Sequence, residues 1–204
     1  MKKLSFLALL MTLCLPLTAL AQEEAPIVEI SGGYALLKLN FNNVPGITDA
    51  SPISPNLAMN GFTTSFAGNF ARHVGIVGEF SQVAKSERYT LLPSGTPVAV
   101  DVDFQVMTLL FGPRVTLHRG KVEPFVHGLL GGARASAEAS AIGESNEGTG
   151  YAFAYALGGG VDVKVHKNLA VRVGQFDYLG ARARGEGINN FRFSAGVVLR
   201  LGNR

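Results

Sequence analysis

The sequence predicts an all-β protein, an eight-stranded antiparallel transmembrane up-and-down β-barrel that follows a cleaved signal peptide. Three observations lead to this prediction. The chain begins with an export signal. It carries long segments in which large apolar residues alternate with small or polar ones, and the short connections between these segments alternate with long ones. Strands cross a bilayer only as a closed barrel, because closure gives every backbone polar group a partner.

The N-terminal segment has the order of an export signal. Two lysines precede an uncharged apolar run that ends in the small-residue pattern Ala19-Leu20-Ala21. This order is typical of a secretory signal peptide. We therefore expect residues 1–21 to be removed and residues 22–204 to form one barrel domain. An uncleaved anchor is the alternative, although the run from Leu4 to Leu20 is short for a spanning helix of roughly 20 residues.

Composition excludes several functional classes. The single cysteine, Cys14, lies within the export signal, so disulfides, thiol catalysis and cysteine-bound metal are not expected in the mature domain. Basic and acidic residues nearly balance once the N-terminal lysines are removed, which argues against a nucleic-acid partner. Charged residues make up 16% of the chain, compared with roughly 25% in soluble domains.

Most of the predicted strands rest on alternation. From Val28, Phe62 and Val74 onwards, large apolar residues occupy every second position. The segments Tyr151 to Val165 and Phe191 to Leu201 show the same period and carry mainly small or charged residues on the second face. A period of two indicates strands. We place the eight strands at 27–39, 60–71, 74–84, 100–117, 122–136, 150–165, 169–183 and 190–201.

The fourth, fifth and seventh strands are less regular. Leu109-Leu110-Phe111 interrupts the alternation of the fourth strand, and we interpret it as a β-bulge that shifts the face before Pro113. The fifth strand is apolar on both faces from Pro124 to Arg134, so its phase stays open. In the seventh strand, Gly174 predicts a shift of face before Phe176.

The connections alternate strictly in length. Short polar turns are expected at Arg72-His73, at 118–121 and at 166–168, and long loops rich in Pro, Gly, Ser and Asn at 40–59, 85–99 and 137–149. Bacterial barrels place short turns in the periplasm and long loops outside the cell. We expect an extracellular ligand, if the protein has one, to bind the long loops, because loops on a rigid scaffold commonly carry function.

The two faces of the strands differ in chemistry. A soluble barrel that binds a small hydrophobic ligand places its large apolar face inside, and periodicity alone leaves that alternative open. In a membrane barrel the large face meets lipid; these residues are Val28, Ile30, Phe62, Phe66, Phe70, Ile76, Tyr151, Phe153, Tyr155, Leu157, Val161, Val163, Phe191, Phe193, Val197 and Leu199. The charges of the opposite face would then form an ion-paired lumen network of Glu29, Glu79, Arg114, Asp162, Lys164, Arg172, Arg192 and Arg200.

Several stretches resemble a known family. They are Ile30-Ser-Gly-Gly-Tyr34, Leu110-Phe-Gly-Pro-Arg114, Pro124-Phe-Val-His127 with Gly131-Gly132, and Ala156-Leu-Gly-Gly-Gly-Val-Asp162. In their order and spacing the mature chain resembles the outer-membrane protein β-barrel domain family, which includes OmpA-like and OmpX-like eight-stranded barrels. The resemblance implies an integral protein of the bacterial outer membrane.

The last strand also resembles a family signal. Ser194, Gly196, Leu199 and Leu201 look like the C-terminal signal that the barrel-assembly machinery reads. The family usually ends on an aromatic residue, whereas this chain ends Gly202-Asn203-Arg204. The departure weakens the assembly signal more than the fold.

No motif in the chain indicates catalysis, a metal or a cofactor. Side chains fill an eight-stranded barrel, so we expect a monomeric structural or surface-interaction protein without a large open pore; a small gated ion path is the alternative use of the lumen charges. The histidines, three of them in turns, have few acidic neighbours that could complete a metal site. An enzyme acting on outer-membrane lipid is the functional alternative, with His127, Ser136 or Ser140, and Glu138 as its candidate residues.

Overall fold

The computed structural model describes residues 25–40, 56–91, 98–118, 120–141, 144–183 and 186–203. They form eight antiparallel strands, and each strand pairs with the next in chain order. β8 pairs with β1 from Pro26↔Asn203 to Lys38↔Phe191, so the sheet closes. The predicted fold class is therefore confirmed, whereas the expected signal peptide lies outside the described residues. The strands are β1 Pro26–Asn40, β2 Asn56–Asn69, β3 Val74–Leu91, β4 Val98–Thr116, β5 Val122–Ala141, β6 Glu144–His166, β7 Leu169–Ala183 and β8 Glu186–Asn203.

Among the described residues, no helix is long and apolar enough to cross a membrane.

The four central strands extend past their neighbours at one end of the barrel. Pairing of β2 with β3 ends at Ala84, and pairing of β6 with β7 begins at Phe153. Beyond these points β3, β4, β5 and β6 pair only with one another within the described ranges. We call this four-stranded extension, residues 85–91, 98–104, 135–141 and 144–152, the overhang. The overhang lies at the end of the barrel opposite Pro26 and Asn203, and we call that end of the barrel the upper end.

The overhang corrects two of the expected long loops. Most of 85–99 belongs to β3 and β4, and most of 137–149 belongs to β5 and β6. Only two residues separate β5 from β6 along the chain. These segments are rich in Ser, Gly and Glu and therefore look like loops, but cross-strand pairing holds them in a ladder such as Glu138↔Glu147. The residues 41–55 of the third expected loop lie outside the described ranges.

The predicted bulge in β4 is wrong. The register of β4 against β3 runs without a shift from Leu91↔Val98 to Val74↔Val115. Leu110 points into the barrel and is fully buried, whereas Leu109 and Phe111 are half exposed on the outside. All three are apolar because, at this height, both the lumen and the outer surface of the barrel are apolar.

The shift of face in β7 is confirmed. The register of β7 against β8 breaks between Arg172 and Gln175, on either side of Gly174. As a result Arg172 and Gln175 both point inwards and are buried, although they are three positions apart and would lie on opposite faces of a regular strand. In β5 the register also settles the open phase, because Glu123 and His127 are buried while Val126 between them is exposed.

The lumen has two layers. Towards the lower end, where both barrel termini lie, it is filled by charged and polar side chains. Towards the upper end it is filled by an apolar plug, which we define as Leu37, Leu39, Met59, Val83, Leu110, Leu129 and Leu179, with Phe104 and Val106 packed against them. Polar side chains thus occupy the lower part of the interior, and apolar side chains occupy the upper part.

Candidate functional site

The charged lumen is the chemically densest region of the structure. Its described acidic members are Glu29, Glu79, Glu123, Asp162 and Asp177, and its basic members are Arg114, Lys164, Arg172, Arg192 and Arg200. The structure thus brings together all eight residues of the predicted network. All but Lys164 are buried, and the side chain of Lys164 is 25% exposed. The opposite charges are equal in number among these members, which makes the layer neutral when His127 is neutral.

Arg192 is the centre of the upper part of this layer. Its guanidinium donates to the Asp177 carboxylate, with Nη2 to Oδ2 at 2.7 Å and Nε to Oδ2 at 3.1 Å, and its Nη1 donates to Ser81 Oγ at 2.9 Å. Arg192 also pairs with Glu79. Gln175 Nε2 donates to both carboxylates at 2.9 Å. The two acids therefore share one cation and one amide.

A row of three residues crosses β5, β6 and β7 beside this cluster. His127 lies opposite Gly158, and Gly158 lies opposite Asp177. His127 Nε2 lies 2.7 Å from Asp177 Oδ1, so the two side chains meet over the glycine. A Cβ at Gly158 would overlap the Asp177 carboxylate. The glycine in this strand is therefore explained by the contact that passes above it.

The lower part of the layer contains the remaining pairs. Arg114 pairs with Glu29 across the barrel, and Glu123 binds both Arg200 and Lys164, the latter at 2.8 Å. The Arg114–Glu29 and Glu123–Arg200 contacts tie together strands that are not neighbours in the sheet, whereas Glu123 and Lys164 lie on the adjacent strands β5 and β6. Burial of such charges is tolerated only when each has a partner.

Arg172 links the two parts. Its Nε and Nη2 donate to the Asp162 carboxylate at 2.8 and 3.0 Å, and its Nη1 donates to Gln175 Oε1 at 2.8 Å. Its guanidinium also lies 4.4 Å from the centre of the Phe125 ring. Gly160 leaves space for that ring, because a Cβ there would come within 2.9 Å of it.

The predicted lumen network left out four members of the cluster: Glu123, His127, Gln175 and Asp177. Glu123 and His127 lie in β5, where both faces are apolar enough to hide the phase. Gln175 and Asp177 follow the bulge in β7, which moves them to the inner face. The shift predicted at Gly174, when it is applied to the residues that follow, places Asp177 on the inner face of β7.

The residues of the enzyme alternative do not converge. His127 points into the lumen. Ser136, Glu138 and Ser140 belong to the opposite, outer face of β5 and lie about 30 Å or more further along the strand at ~3.3 Å per residue. In the described ranges, no three His, Cys, Asp or Glu side chains could hold a metal ion.

A histidine pair lies just beyond the lower end of the strands. The His73 and His118 rings are 5.8 Å apart, and His73 Nδ1 lies 3.0 Å from the Thr116 carbonyl oxygen. His118 is 4% exposed and follows the last residue of β4 in the turn. Burial lowers the pKa of His118 to about 4, because the charged ring would lose its hydration.

The outer surface carries the residues that sequence analysis assigned to lipid. Val28, Tyr155, Val161, Val163 and Phe193 are half-buried against outward-facing neighbours. The remaining eleven are exposed large hydrophobic residues: Ile30, Phe62, Phe66, Phe70, Ile76, Tyr151, Phe153, Leu157, Phe191, Val197 and Leu199.

The residues of the expected assembly signal all lie in β8. Leu199 and Leu201 are exposed on the outer face, whereas Ser194 points inwards and is buried. Gly196 is half-buried and lies opposite Gly33 of β1, so closely that a Cβ would overlap the β1 backbone.

Solved structures share this architecture. Ail, the attachment invasion locus protein of Yersinia pestis, superposes with a TM-score of 0.58 at 21% identity, over 86% of this chain and 99% of Ail. Neisserial surface protein A superposes with a TM-score of 0.55 at 10% identity, over 88% of this chain and 100% of that protein. At these identities the likeness concerns the fold. A comparison with curated protein sequences returned no match.

A family model supplies the identification. The model described as the outer membrane protein beta-barrel domain matches residues 5–200, nearly the whole chain. The closed barrel, its apolar exterior and its charged interior agree with that match. The chain belongs to the outer membrane protein β-barrel domain family and is a protein of the outer membrane.

Proposed function

We propose that this protein is a surface-interaction barrel, whose lower part anchors it in the outer membrane without an open pore and whose overhang contacts partners outside the cell. The observation that carries the proposal is the overhang itself, a four-stranded sheet with a polar exterior that continues upwards from a filled barrel. Short turns of bacterial barrels face the periplasm. The overhang, at the other end, therefore faces the outside.

The charges of the overhang indicate what kind of partner it suits. Arg88 donates to the Asp101 carboxylate at 2.6 and 3.0 Å, and this guanidinium holds the pKa of the Asp101 carboxyl below its usual range. Lys85 and Glu87 form a second pair at 3.3 Å. Within the described part of the overhang, these cations are paired, while further acidic residues lie at Asp103, Glu138 and Glu147.

This acidic excess favours a cationic partner. Ail has been crystallised with the heparin analogue sucrose octasulfate, a polyanion. The overhang of the present chain supports the opposite charge preference, since acidic side chains repel a polyanion and attract a basic peptide or polyamine.

The test shortens one hairpin. A variant lacking residues 137–148, with Ser136 and Thr149 joined by a two-residue Asn-Gly turn, removes the top of β5 and β6 and keeps the cross-strand pair Ser136↔Thr149. Bacteria that display either protein are measured for attachment to beads coated with a basic peptide or with a sulfated polysaccharide. We expect attachment to the basic beads, lost in the shortened variant and reduced by salt.

Two outcomes would contradict the proposal. Equal attachment of both proteins to basic beads would show that the overhang does not bind, provided that the shortened variant still migrates faster on gels when unheated. A variant of the intact overhang, Glu138→Gln with Glu147→Gln, is the matched control for charge, and we expect it to weaken attachment without changing assembly. Stronger attachment to the sulfated beads would reverse the charge preference.

We further propose that the protein has no enzymatic activity and needs no cofactor. The separation of His127 from Ser136, Glu138 and Ser140 supports this proposal. If His127→Ala abolished a chemical modification of outer-membrane lipid in the host, the enzyme alternative would replace it. The soluble alternative is disfavoured by the arrangement of polarity, since the charges lie inside and the large apolar residues outside. Retention in outer membranes after a carbonate wash tests that point.

Monomeric state and assembly remain part of the proposal. Leu199 and Leu201 lie exposed on the outer face of the last strand, which supports a role in recognition by the barrel-assembly machinery. Replacing both by Ser should slow insertion into the outer membrane without changing the lumen contacts.

A further inference from the structure

The outer surface of β4, β5 and β6 contains a groove of about 710 Å³. Its floor is the backbone at Gly131 and Gly132, and its walls are Leu109 on one side and Phe153 on the other. Arg134 and Arg182 also line it. The groove therefore combines an apolar interior with two basic side chains.

A single missing side chain makes the groove. Leu109, Gly132 and Phe153 lie in one row across the three strands, and all three face outwards. Gly132 is exposed, and a Cβ placed there would meet no atom closer than 3.9 Å. Neither a turn nor a close approach of strands explains a glycine at this point. The open space above it can be filled by a lipid chain.

The two arginines lie near the upper border of the apolar exterior. Arg134 lies opposite Tyr151, and Arg182 lies opposite Phe153, so the pair flanks β6 from both sides. Strand spacing and rise place their Cα atoms roughly 12 Å apart. Both side chains are exposed, and neither forms an ion pair within the described ranges. Two exposed cations beside an apolar groove are complementary to a lipid that carries phosphate.

We propose that this groove binds a phosphorylated glycolipid of the outer leaflet, with an acyl chain over Gly132 and phosphate on Arg134 and Arg182. Guanidinium groups bind phosphate through charge-assisted hydrogen bonds. Two cations on opposite sides of one strand suit a headgroup that carries more than one phosphate over a sugar scaffold better than a phospholipid with a single phosphodiester.

A second groove of the same barrel provides an internal comparison. It measures about 520 Å³, lies across β1 to β4, and is lined by Ile30, Phe66 and Ile76 among other residues. No Lys or Arg lines this second groove. Lipid chains can enter both grooves, so a preference for phosphate at the first groove alone would come from the arginines.

Fluorescence can report on each groove separately, because the chain contains no tryptophan. The full-length protein is folded into phosphatidylcholine vesicles with either Phe153→Trp or Phe66→Trp. Each sample is titrated with lipid A, a bis-phosphorylated acylated glucosamine disaccharide, with its dephosphorylated form, or with phosphatidylglycerol. We expect the Phe153→Trp emission to change at about tenfold lower mole fraction of lipid A than of either other lipid, because two charge-assisted contacts are added.

The variants locate the effect. Arg134→Ala with Arg182→Ala should remove the preference for lipid A at Phe153→Trp, and both changes to Lys should keep part of it. Gly132→Leu fills the groove without touching the backbone and should weaken binding of all three lipids there. Lys121→Ala removes an exposed cation at the lower end of the barrel instead and should leave the preference for lipid A unchanged. Faster migration of unheated samples checks that each variant is folded.

Three results would overturn the proposal. They are equal response to lipid A and its dephosphorylated form, an unchanged preference in the double alanine variant, and a response to phosphatidylglycerol as sensitive as that to lipid A. The first and third need no substitution in the arginine pair, so they stand even if a variant fails to fold. The hairpin-shortened variant keeps the groove, which separates this test from that of the surface role.

Discussion

The lower and upper halves of the barrel apply the same strand alternation in opposite ways. In the lower half of β4, Arg114 points into the lumen and Phe111 points outwards. In the upper half of the same strand, Phe104 packs against the apolar plug and Asp103 is exposed outside. The register between these positions is unbroken. The strand thus exchanges its polar and apolar faces without changing its geometry.

The surroundings of each half explain the exchange. Where lipid surrounds the barrel, the exterior must be apolar, and the narrow lumen is the remaining place for polar groups, which must then pair with one another. Where water surrounds it, the exterior is polar and the interior can be an ordinary apolar core. The medium around each half therefore sets which face of the strand is polar, and loss of alternation can mark the border between lipid and water.

Removal of Arg192 should lower the free energy of unfolding most, because Arg192 lies at the centre of the charged part of the lumen. Arg192→Met leaves Glu79 and Asp177 as neighbouring acids without their shared cation. Loss of one partner from a buried ionic cluster costs about 3–5 kcal/mol. We expect the free energy of unfolding in urea, measured for the barrel in lipid vesicles, to fall by about that amount.

The control for this prediction removes the acids as well. Arg192→Met combined with Glu79→Gln and Asp177→Asn leaves no uncompensated charge and should recover much of the stability. If the triple variant is no more stable than the single one, the loss comes from packing rather than from uncompensated charge.

A pair of adjacent leucines tests the apolar half. Leu110 is fully buried in the plug, and Leu109 is 50% exposed on the outside. Leu110→Ala should cost about 2–5 kcal/mol, because it leaves a cavity in a packed interior. Leu109→Ala leaves a gap that lipid can fill and should cost distinctly less in the same urea titration. Equal losses would contradict the unbroken register of β4.

The glycine under the His127–Asp177 contact should give a smaller effect. Gly158→Ala forces the Asp177 carboxylate to move and should cost about 1–3 kcal/mol, in the range of overpacked interiors. Gly32→Ala is the matched control, since Gly32 faces outwards and a Cβ there meets nothing within 4 Å. A loss as large for Gly32→Ala would mean that strand glycines matter here for backbone reasons alone.

The smallest predicted effect is a dependence of stability on pH at the lower end of the barrel. The folded-state pKa of His118 is about 4 and lies below its ordinary value of 6.5. Protonation therefore favours the unfolded chain, so stability is complete above pH 6.5 and falls as the pH decreases from 6.5 towards 4. His118→Phe should remove this part of the pH dependence in unfolding titrations between pH 4 and 7. If stability depends on pH equally in His118→Phe and in the unmodified protein, groups other than His118 cause this dependence.

Sequence predicted the barrel well where the two faces differ in chemistry. In β6, large residues such as Phe153 and Leu157 alternate with small ones, which leaves only one assignment of faces. In β4 the alternation is lost at Leu109 to Phe111, where the lumen has become apolar while the exterior still meets lipid. Local composition also hid the overhang, because cross-strand pairing rather than residue type makes Glu138 and Glu147 part of a ladder.

The site was predictable in kind but not in membership. The eight charges singled out by alternation do meet in the lumen, since a face of charges has no other acceptable location in a membrane barrel. Glu123 and Asp177 were missed because their strands change phase or hide it. The contact of His127 with Asp177 depends on Gly158 in the strand between them, and such a relation among three strands cannot be read from any one of them.

Conductance reports directly on whether the lumen of the barrel is closed. Purified, folded protein is inserted into a planar lipid bilayer, and the current is recorded under applied voltage. The paired charges below and the apolar plug above leave no path of porin-like width, so we predict that the protein produces no stable openings on the nanosiemens scale. Stable openings of that size in the unmodified protein would contradict the account.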